Sequence, residues 1–399
     1  MRAGRYVKQP TGYSAFIPSP LPPDPPTHMD DDLLRLLSDA DTALGRLDGV
    51  ASVLPNPNLF VSMYVRQEAV LSSQIEGTQS TLEDVLEFEA DAKGREIPKD
   101  IEEVVNYIRA INYGLKRLTE LPLSLRLIRE IHAELLQGVR GGDRSPGEFR
   151  TSQNWIGPAN CTLTTATFVP PPPHEMRQAL DNLERFLQDT TSFPVLIHCG
   201  LAHAQFETIH PFLDGNGRVG RLLITFLLCQ RGVLQRPLLY LSHYFKRHRA
   251  EYYDRLMAVR EDGDWEGWLK FFLRGTHEVS CQATTTSRAI VELRERHRQM
   301  LGDNALALQF LDYLFEQPVV TVRMVERRLG RTFATANKVV GQLGGKGILK
   351  EVSPRKFRNR RFRYDPYLVL FEDAGQPPRQ EGRTVQTPGG EADHPTSHE

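Results

Sequence analysis

At residues 210–221 the chain reads His210-Pro211-Phe212-Leu213-Asp214-Gly215-Asn216-Gly217-Arg218-Val219-Gly220-Arg221. Apolar residues recur at helical spacing before it (194–209) and after it (218–231), so this segment is a loop that leads into a helix. Its glycines allow backbone N–H groups to point into one concavity, and the positive end of the following helix also attracts an anion. The sequence therefore predicts a phosphate-binding loop.

Several side chains around this loop suit chemistry at a phosphate. Asp214 offers a hard oxygen ligand for Mg²⁺. Arg218 and Arg221 lie three residues apart on one helical face, where their guanidinium groups can hold phosphate oxygens. His210 is the nearby neutral base suited to pH 7. Together they predict attack of a hydroxyl on a nucleotide phosphate. The alternative is a glycine-rich helix-capping loop with a surface arginine pair.

The segment resembles the signature of the Fic domain family, HPFx(D/E)GNGRxxR, and matches it at each fixed position. This resemblance implies an α-helical core, ATP as the donor, and transfer of AMP to a Ser, Thr or Tyr hydroxyl of a protein with release of pyrophosphate. It also implies that His210 is the base, Asp214 the Mg²⁺ ligand and Phe212 a core anchor. The implied phosphate contacts are Gly215, Asn216, Gly217, Arg218 and Arg221.

An upstream segment, Ser72-Ser73-Gln74-Ile75-Glu76-Gly77, resembles the (S/T)xxxE(G/N) inhibitory motif of one class of this family. A Glu76 carboxylate paired with Arg221 would occupy the place of the ATP γ-phosphate, so ATP would bind in an unproductive pose. Ser72, Glu76 and Gly77 are therefore the predicted inhibitory residues. The alternative is a solvated glutamate near a helix C-terminus, where the helix dipole disfavours an anion.

Two further resemblances concern the protein target and the base of the nucleotide. Residues 165–169 precede a proline run and resemble the family's flap, a hairpin edge that registers a target segment by β-augmentation through Thr167, Phe168 and Val169. The alternative is a plain hairpin that leads into a proline linker. Tyr252 and Tyr253 resemble a tyrosine pair that lines the adenine pocket in related proteins. The alternative for them is a core aromatic pair.

The predicted fold is mainly α, with an all-helical Fic core, a small β-hairpin flap and a C-terminal winged helix-turn-helix domain. Proline-rich residues 1–30 predict an extended arm. Residues 31–300 are the predicted Fic domain, which includes the inhibitory helix. The element order in residues 301–373 is typical of a winged helix-turn-helix, and residues 374–399 have the composition of a disordered tail.

The predicted wing is strongly basic, although the formal net charge of the chain is −1. Its cations are Arg355, Lys356, Arg358, Arg360, Arg361 and Arg363, with Phe357 and Phe362 between them. Such a cluster can neutralise several phosphates of a duplex, so DNA is one candidate partner, contacted also by a recognition helix at 334–343. The alternatives are a protein-docking or dimerisation role for the winged helix and a solvated basic wing.

The composition narrows the class of protein. The 399 residues, 40% hydrophobic and 25% charged, are ordinary for a soluble protein with more than one domain. No apolar run approaches the ~20 residues of a membrane span, and the N-terminus lacks the features of a signal peptide, so we expect a cytoplasmic protein without a membrane partner. The 4 cysteines show no metal-ligand spacing, so we expect neither disulfides nor zinc.

Three functional hypotheses stay open on the sequence. The first is AMP transfer from Mg²⁺-bound ATP to a protein, the enzyme itself included. The second is a DNA-binding regulator whose core senses nucleotide. The third is transfer of UMP or phosphate, because the signature determines the phosphate cradle better than the base pocket. The sequence does not decide between a monomer and a homodimer.

Overall fold

The computed structural model describes residues 2–52, 57–90, 97–139, 142, 144–353 and 360–372. The described chain is mainly helical, as the sequence predicts, with two small antiparallel sheets. The first part contains β1 (Gly4–Lys8), β2 (Ser14–Pro18), α1 (Asp31–Ser52), α2 (Pro57–Ile75), α3 (Leu82–Ala90), α4 (Lys99–Arg117), α5 (Leu125–Leu135), α6 (Pro173–Gln188), α7 (Val195–Ile209), α8 (Asn216–Gln230), α9 (Ser242–Arg247), α10 (Arg249–Asp262) and α11 (Trp265–Leu301). The second part contains α12 (Ala305–Glu316), β3 (Val319–Thr321), α13 (Val322–Leu329), α14 (Phe333–Gly345), β4 (Lys350–Glu351), β5 (Arg361–Arg363) and α15 (Asp365–Glu372).

Helices α7 and α8 are the centre of the first part. Every residue of α7 from Leu196 to Ile209 is buried, which is typical of a helix surrounded by other helices rather than one with a single apolar face. Helix α8 packs beside α7 and buries most of its length. The loop between α7 and α8 is therefore anchored at both ends by helices that are buried in the core.

Helix α11 is one continuous helix of 37 residues that packs along α1. The hydroxyls of Thr276 and Thr284 donate to the carbonyls four residues earlier, at 3.0 and 2.8 Å. These β-branched residues have low helical propensity, and their hydroxyl hydrogen bonds accommodate them within the helix.

The predicted extended arm at residues 1–30 begins instead with a β-hairpin. β1 and β2 pair antiparallel with Tyr6 opposite Phe16, and Phe16 is fully buried. The proline-rich residues follow it, and Leu21 exchanges two hydrogen bonds with the Asn182 side chain, at 2.8 and 3.2 Å. Two strands of five residues are too short to show a clear alternation of apolar and polar residues. The prediction of an extended arm therefore depended on the proline content.

Residues 305–372, called the C-terminal module below, contain three helices and a sheet in the order β3-β5-β4, followed by α15. Part of the predicted wing (Arg355, Lys356, Phe357, Arg358) and the predicted tail at 374–399 lie outside the described residues. No helix of the described residues is long and apolar enough to cross a membrane.

The arginines of the predicted wing that lie within the described residues bond to other side chains of the protein. Arg361 donates to Glu87 at 2.8 Å, and Arg363 pairs with Glu83, both glutamates of α3. The Arg360 side chain donates to Asn337 at 2.8 Å. The charges of Arg361 and Arg363 therefore link the C-terminal module to α3, and Arg360 bonds within the module.

Helix α2 carries a buried carboxyl, Glu68, about one turn before the inhibitory segment. One oxygen accepts from the Tyr107 hydroxyl at 3.0 Å and from the Ser242 hydroxyl at 2.5 Å. The other is buried and has no partner among the described residues. Burial raises the pKa of Glu68 to about 7, although the hydroxyls favour the charged form.

We expect Glu68→Gln to change how stability depends on pH. A raised pKa means that the folded state favours the neutral carboxyl, so this stabilisation is complete below about pH 4.5 and is lost as the pH rises through about 7. One pKa unit corresponds to about 1.4 kcal/mol, so the wild type should lose roughly 3 kcal/mol more than Glu68→Gln between pH 4.5 and 8. Urea unfolding at both pH values measures this difference, and equal losses would contradict it.

Candidate active site

The loop between α7 and α8 is held by the backbone and by Asn216. His210 ends α7 with a left-handed φ of 48°, and Gly215 precedes α8 with a φ of 77°, a conformation that glycine adopts without strain. The Asn216 side chain accepts from Phe212 N and donates to Phe212 O, both at 2.8 Å. The Asn216 side chain is thus a clamp on the loop, which leaves its backbone N–H as the group available to an anion.

Phe212 is fully buried, where the resemblance placed a core anchor. It stacks on His132 of α5 with 3.7 Å between ring centroids. His132 Nδ1 accepts from Gly147 N at 2.8 Å, so its Nε2–H donates to Asp214 O at 3.0 Å. Burial lowers the pKa of His132 to about 4, which keeps this ring neutral. Sequence reasoning missed His132, because nothing near it on α5 indicates a loop 80 residues away.

His210 is held through its main chain. Its carbonyl accepts from Arg150 Nε at 3.0 Å and from Asn154 Nδ2 at 3.3 Å, two further residues that the sequence did not indicate. Burial, with smaller effects from Arg260 and Arg150, lowers the pKa of His210 to about 3. The imidazole is therefore neutral at pH 7, the form in which it can accept a proton. Nδ1 is buried without a protein partner among the described residues.

Arg218 and Asp214 lie together at the start of α8. The nearly buried Arg218 guanidinium lies 3.4 Å from Asp214 and 3.5 Å from Glu103 of α4, which the sequence did not indicate. Asp214 Oδ1 also accepts from Gly215 N at 2.6 Å. The Asp214 side chain remains 30% exposed, so its carboxylate stays accessible at the mouth of the loop.

Arg221, one turn further along α8, contacts the last turn of α2 and Glu76, which follows that helix. Its Nη2 donates to Glu76 Oε1 at 2.7 Å. Ser72 holds the same guanidinium, because its hydroxyl accepts from Nε at 2.8 Å and its carbonyl from Nη2 at 3.0 Å. Gly77 follows with a φ of 104°, which allows the chain to turn after Glu76. The structure thus brings the predicted inhibitory residues to Arg221.

The Glu76 carboxylate lies against the first turn of α8. A Cβ atom at Gly217 would be 2.3 Å from Glu76 Oε1. Partial desolvation would raise the pKa of Glu76, but the guanidinium groups of Arg221 and Arg218 hold that pKa below its usual range. The carboxylate is therefore charged and lies where the sequence predicts a phosphate.

The two tyrosines that are predicted to line the adenine pocket differ in how far they are buried. Tyr252 is 1% exposed, stacks on Phe245, and shares a hydrogen bond of 2.9 Å with His203 Nε2. Tyr253 is 40% exposed, with Arg249 over its ring. The aromatic core covers the Tyr252 ring, and of the two tyrosines only Tyr253 has a face available to a base; the adenine pocket stays a prediction.

The predicted flap, residues 165–169, is not a regular hairpin. A single bridge joins Ile156 and Phe168. Thr167 is exposed, but Phe168 and Val169 are buried, and Val169 O accepts from Phe16 N of β2 at 2.9 Å. Of the three predicted target contacts, Thr167 alone is open to solvent, because the N-terminal hairpin covers the other two.

The described residues contain no group of three or more His, Cys, Asp and Glu side chains arranged to hold a metal ion. One accessible carboxylate, Asp214, beside a phosphate-binding helix N-terminus fits Mg²⁺, which is commonly bound by one or two carboxylates together with substrate phosphates. The donor set at this loop therefore suits a magnesium–nucleotide complex better than a free metal ion.

Comparison with protein families matches residues 34–116 to the Fic/DOC family N-terminal region and residues 122–228 to the Fic/DOC family. A protein adenylyltransferase Fic of Aedes aegypti is 30% identical over 243 residues, which are 60% of this chain and 43% of that protein. One of Drosophila grimshawi is 30% identical over 211 residues, 51% of this chain and 40% of that protein. The chain thus matches less than half of the length of these curated relatives.

Among solved structures, a Fic family protein from Desulfovibrio desulfuricans G20 is similar in fold. The TM-score is 0.55 over 85% of this chain and 97% of that chain. The sequences are 20% identical, so this similarity concerns the fold alone.

Proposed function

Because the chain belongs to the Fic/DOC family through residues 34–116 and 122–228, we propose that it transfers AMP from ATP to a Ser, Thr or Tyr hydroxyl of a protein. One observation carries the proposal: a single loop places a neutral imidazole, His210, beside a helix N-terminus that carries Asp214 and two buried arginines. The relatives named protein adenylyltransferase support the same chemistry.

The proposed reaction is a substitution at the α-phosphorus of ATP. The target hydroxyl oxygen bonds to this phosphorus while its proton passes to Nε2 of His210, since Nδ1 is buried. The bond from the α-phosphorus to the bridging oxygen breaks, which leaves AMP esterified to the protein and releases pyrophosphate. Backbone N–H groups at 215–217 and the guanidinium of Arg218 stabilise the charge on the phosphates.

Asp214 would hold Mg²⁺, which when bound neutralises phosphate charge and orients the phosphates. Arg221 would hold the terminal phosphate. In the resting state it is instead paired with Glu76 at 2.7 Å. We therefore propose that Glu76 inhibits the enzyme by keeping the γ-phosphate out of its productive position.

The position of the label identifies the group transferred. The Glu76→Gly variant is incubated with Mg²⁺ and with ATP labelled at the α- or the γ-phosphate, or with α-labelled UTP, and the protein-bound label is measured. Label from α-labelled ATP alone supports AMP transfer. Protein-bound label from γ-labelled ATP would indicate phosphate transfer instead, and label from UTP would indicate UMP transfer. EDTA should abolish any magnesium-dependent signal.

We propose as a second function that residues 301–373 form a winged helix-turn-helix domain that binds duplex DNA. The observation in its favour is a group of exposed cations on α13 and the turn after it, Arg323, Arg327 and Arg331, with the exposed ring of Phe333 beside them. These three arginines make no ion pair with other described residues, in contrast to Arg361 and Arg363. This proposal thus relies on α13 more than on the wing.

The double variant Arg327→Glu/Arg331→Glu should lower the affinity for a duplex about tenfold or more at low salt. The slope of log affinity against log salt should fall by about 2, because two phosphate contacts are lost. Fluorescence anisotropy with a labelled duplex measures both. Arg126→Glu, on the exposed face of α5, is the control for the charge change. Absence of duplex binding by the wild type at low salt would end this proposal.

A further inference from the structure

The flap lies between Ile156 and β2. On one side, Phe168 N and O both bond to Ile156, at 3.0 and 2.8 Å. On the other side, Phe16 N of β2 donates to Val169 O at 2.9 Å. β2 of the N-terminal hairpin therefore bonds to the flap on the edge opposite Ile156.

Aromatic side chains strengthen this contact. The fully buried Phe16 ring lies 5.9 Å from the Phe168 ring, centroid to centroid, and Tyr6 of β1 meets Phe16 edge-on at 5.2 Å. The Arg260 guanidinium lies 3.9 Å from the centroid of the Phe168 ring. Burial of the Phe16 and Phe168 rings makes the hairpin and the flap one packed unit.

Arg260 connects this unit to the helix that ends at His210. Its Nη2 donates to Glu207 O at 3.1 Å and its Nε to the Thr208 hydroxyl at 3.2 Å. Both acceptors are in the last turn of α7. A shift of Phe168 would therefore displace Arg260, which contacts the last turn of α7 just before His210.

The hairpin has its own attachments to the helical core. Arg2 makes a two-pronged ion pair with Glu266 of α11, with both distances 3.0 Å. The Gln205 side chain of α7 donates to Ser19 O at 2.9 Å. The hairpin is thus attached to the helical core independently of the flap, so its position can determine the position of the flap.

We propose that the N-terminal hairpin positions the flap for the protein substrate, and that Phe16 is a positioning residue for AMP transfer; this rests on the proposed function. Val169 O is already bonded, and Thr165 N already donates to Thr162 O at 3.0 Å. An extended target segment therefore pairs with the backbone at the exposed Thr167. The hairpin thereby restricts the register in which an acceptor hydroxyl reaches His210.

Two variants at one position test this in the Glu76→Gly background. Phe16→Pro removes the N–H that bonds to Val169, whereas Phe16→Leu keeps it and most of the apolar volume. Three readouts are compared: transfer from α-labelled ATP to the proteins of a cell extract, pyrophosphate release with water as the only acceptor, and hydrogen exchange of the amides at 165–169. Thermal melting of both variants checks that they are folded.

We expect Phe16→Pro to lose at least tenfold in transfer to protein, to keep pyrophosphate release within twofold, and to exchange the amides at 165–169 faster. Phe16→Leu should keep at least half of the transfer. Equal transfer by the two variants, a parallel loss of pyrophosphate release, or unchanged exchange at 165–169 would overturn the proposal. If Glu76→Gly itself transfers nothing, the proposed function fails, while the exchange measurement still decides whether the hairpin holds the flap.

Discussion

The Glu76→Gly variant should transfer AMP to protein about 10- to 100-fold faster than the wild type. In the wild type, Arg221 is bound to Glu76 at 2.7 Å, and the carboxylate lies against Gly217 at the start of α8. A phosphate that is misplaced by even about 1 Å reacts up to about 10²-fold more slowly. Removal of the carboxylate leaves Arg221 held by Ser72 alone, with its remaining donor capacity free for the terminal phosphate. Initial rates with α-labelled ATP measure the effect.

A matched control separates this contact from a general effect of losing a glutamate. Glu120 also follows the end of a helix, α4, and pairs with an arginine, Arg117, at 2.6 Å. It belongs to none of the segments that form the candidate site. Glu120→Gly should leave the rate unchanged. Unchanged transfer by Glu76→Gly, with ATP binding intact by calorimetry, would eliminate the inhibitory role of Glu76 and favour a nucleotide sensor.

Addition of His210→Ala to Glu76→Gly should lower AMP transfer by about 10²- to 10⁴-fold, the usual contribution of a general base. ATP should still bind, because the phosphate contacts come from α8 and from backbone N–H groups of the loop, which the substitution leaves in place. Mass spectrometry of the modified protein and calorimetry with Mg²⁺ and ATP measure the two effects. An adduct formed at an undiminished rate would mean that another group accepts the proton.

The control for this loss is His174→Ala. His174 is exposed on α6 and contacts Gln178 of the same helix. This variant removes an imidazole without touching the loop at 210–215, so its transfer rate should equal that of Glu76→Gly. A comparable fall in His174→Ala would show that the effect of His210→Ala is not specific to the base.

Local spacing accounts for the parts of the site that the sequence predicts. His210, Asp214, Arg218 and Arg221 lie within twelve residues, at the end of one helix and the start of the next. Helix geometry and the left-handed conformation at Gly215 then place these groups around one helix N-terminus, whatever packs outside it.

Other features needed the tertiary structure. Tyr252 and Tyr253 are adjacent, yet one is covered by the aromatic core and the other is exposed. The sequence around Arg361 and Arg363 is compatible with a solvated basic wing, but in the folded chain these arginines form ion pairs with two glutamates of α3. Composition and periodicity report how many charges or rings a segment has, and they do not report which distant groups face them.

The sequence by itself therefore determined the mainly helical fold, the loop between α7 and α8, and the neighbours that His210 has along the chain. The tertiary structure decided which groups hold that loop, through His132, Arg150 and Asn154, and which strand covers the flap, through Phe16. The physical reason is that local conformation follows from short-range backbone and side-chain preferences. The partner of a buried polar group depends instead on the whole packing arrangement, because each such group must find a hydrogen bond wherever the folded chain provides one.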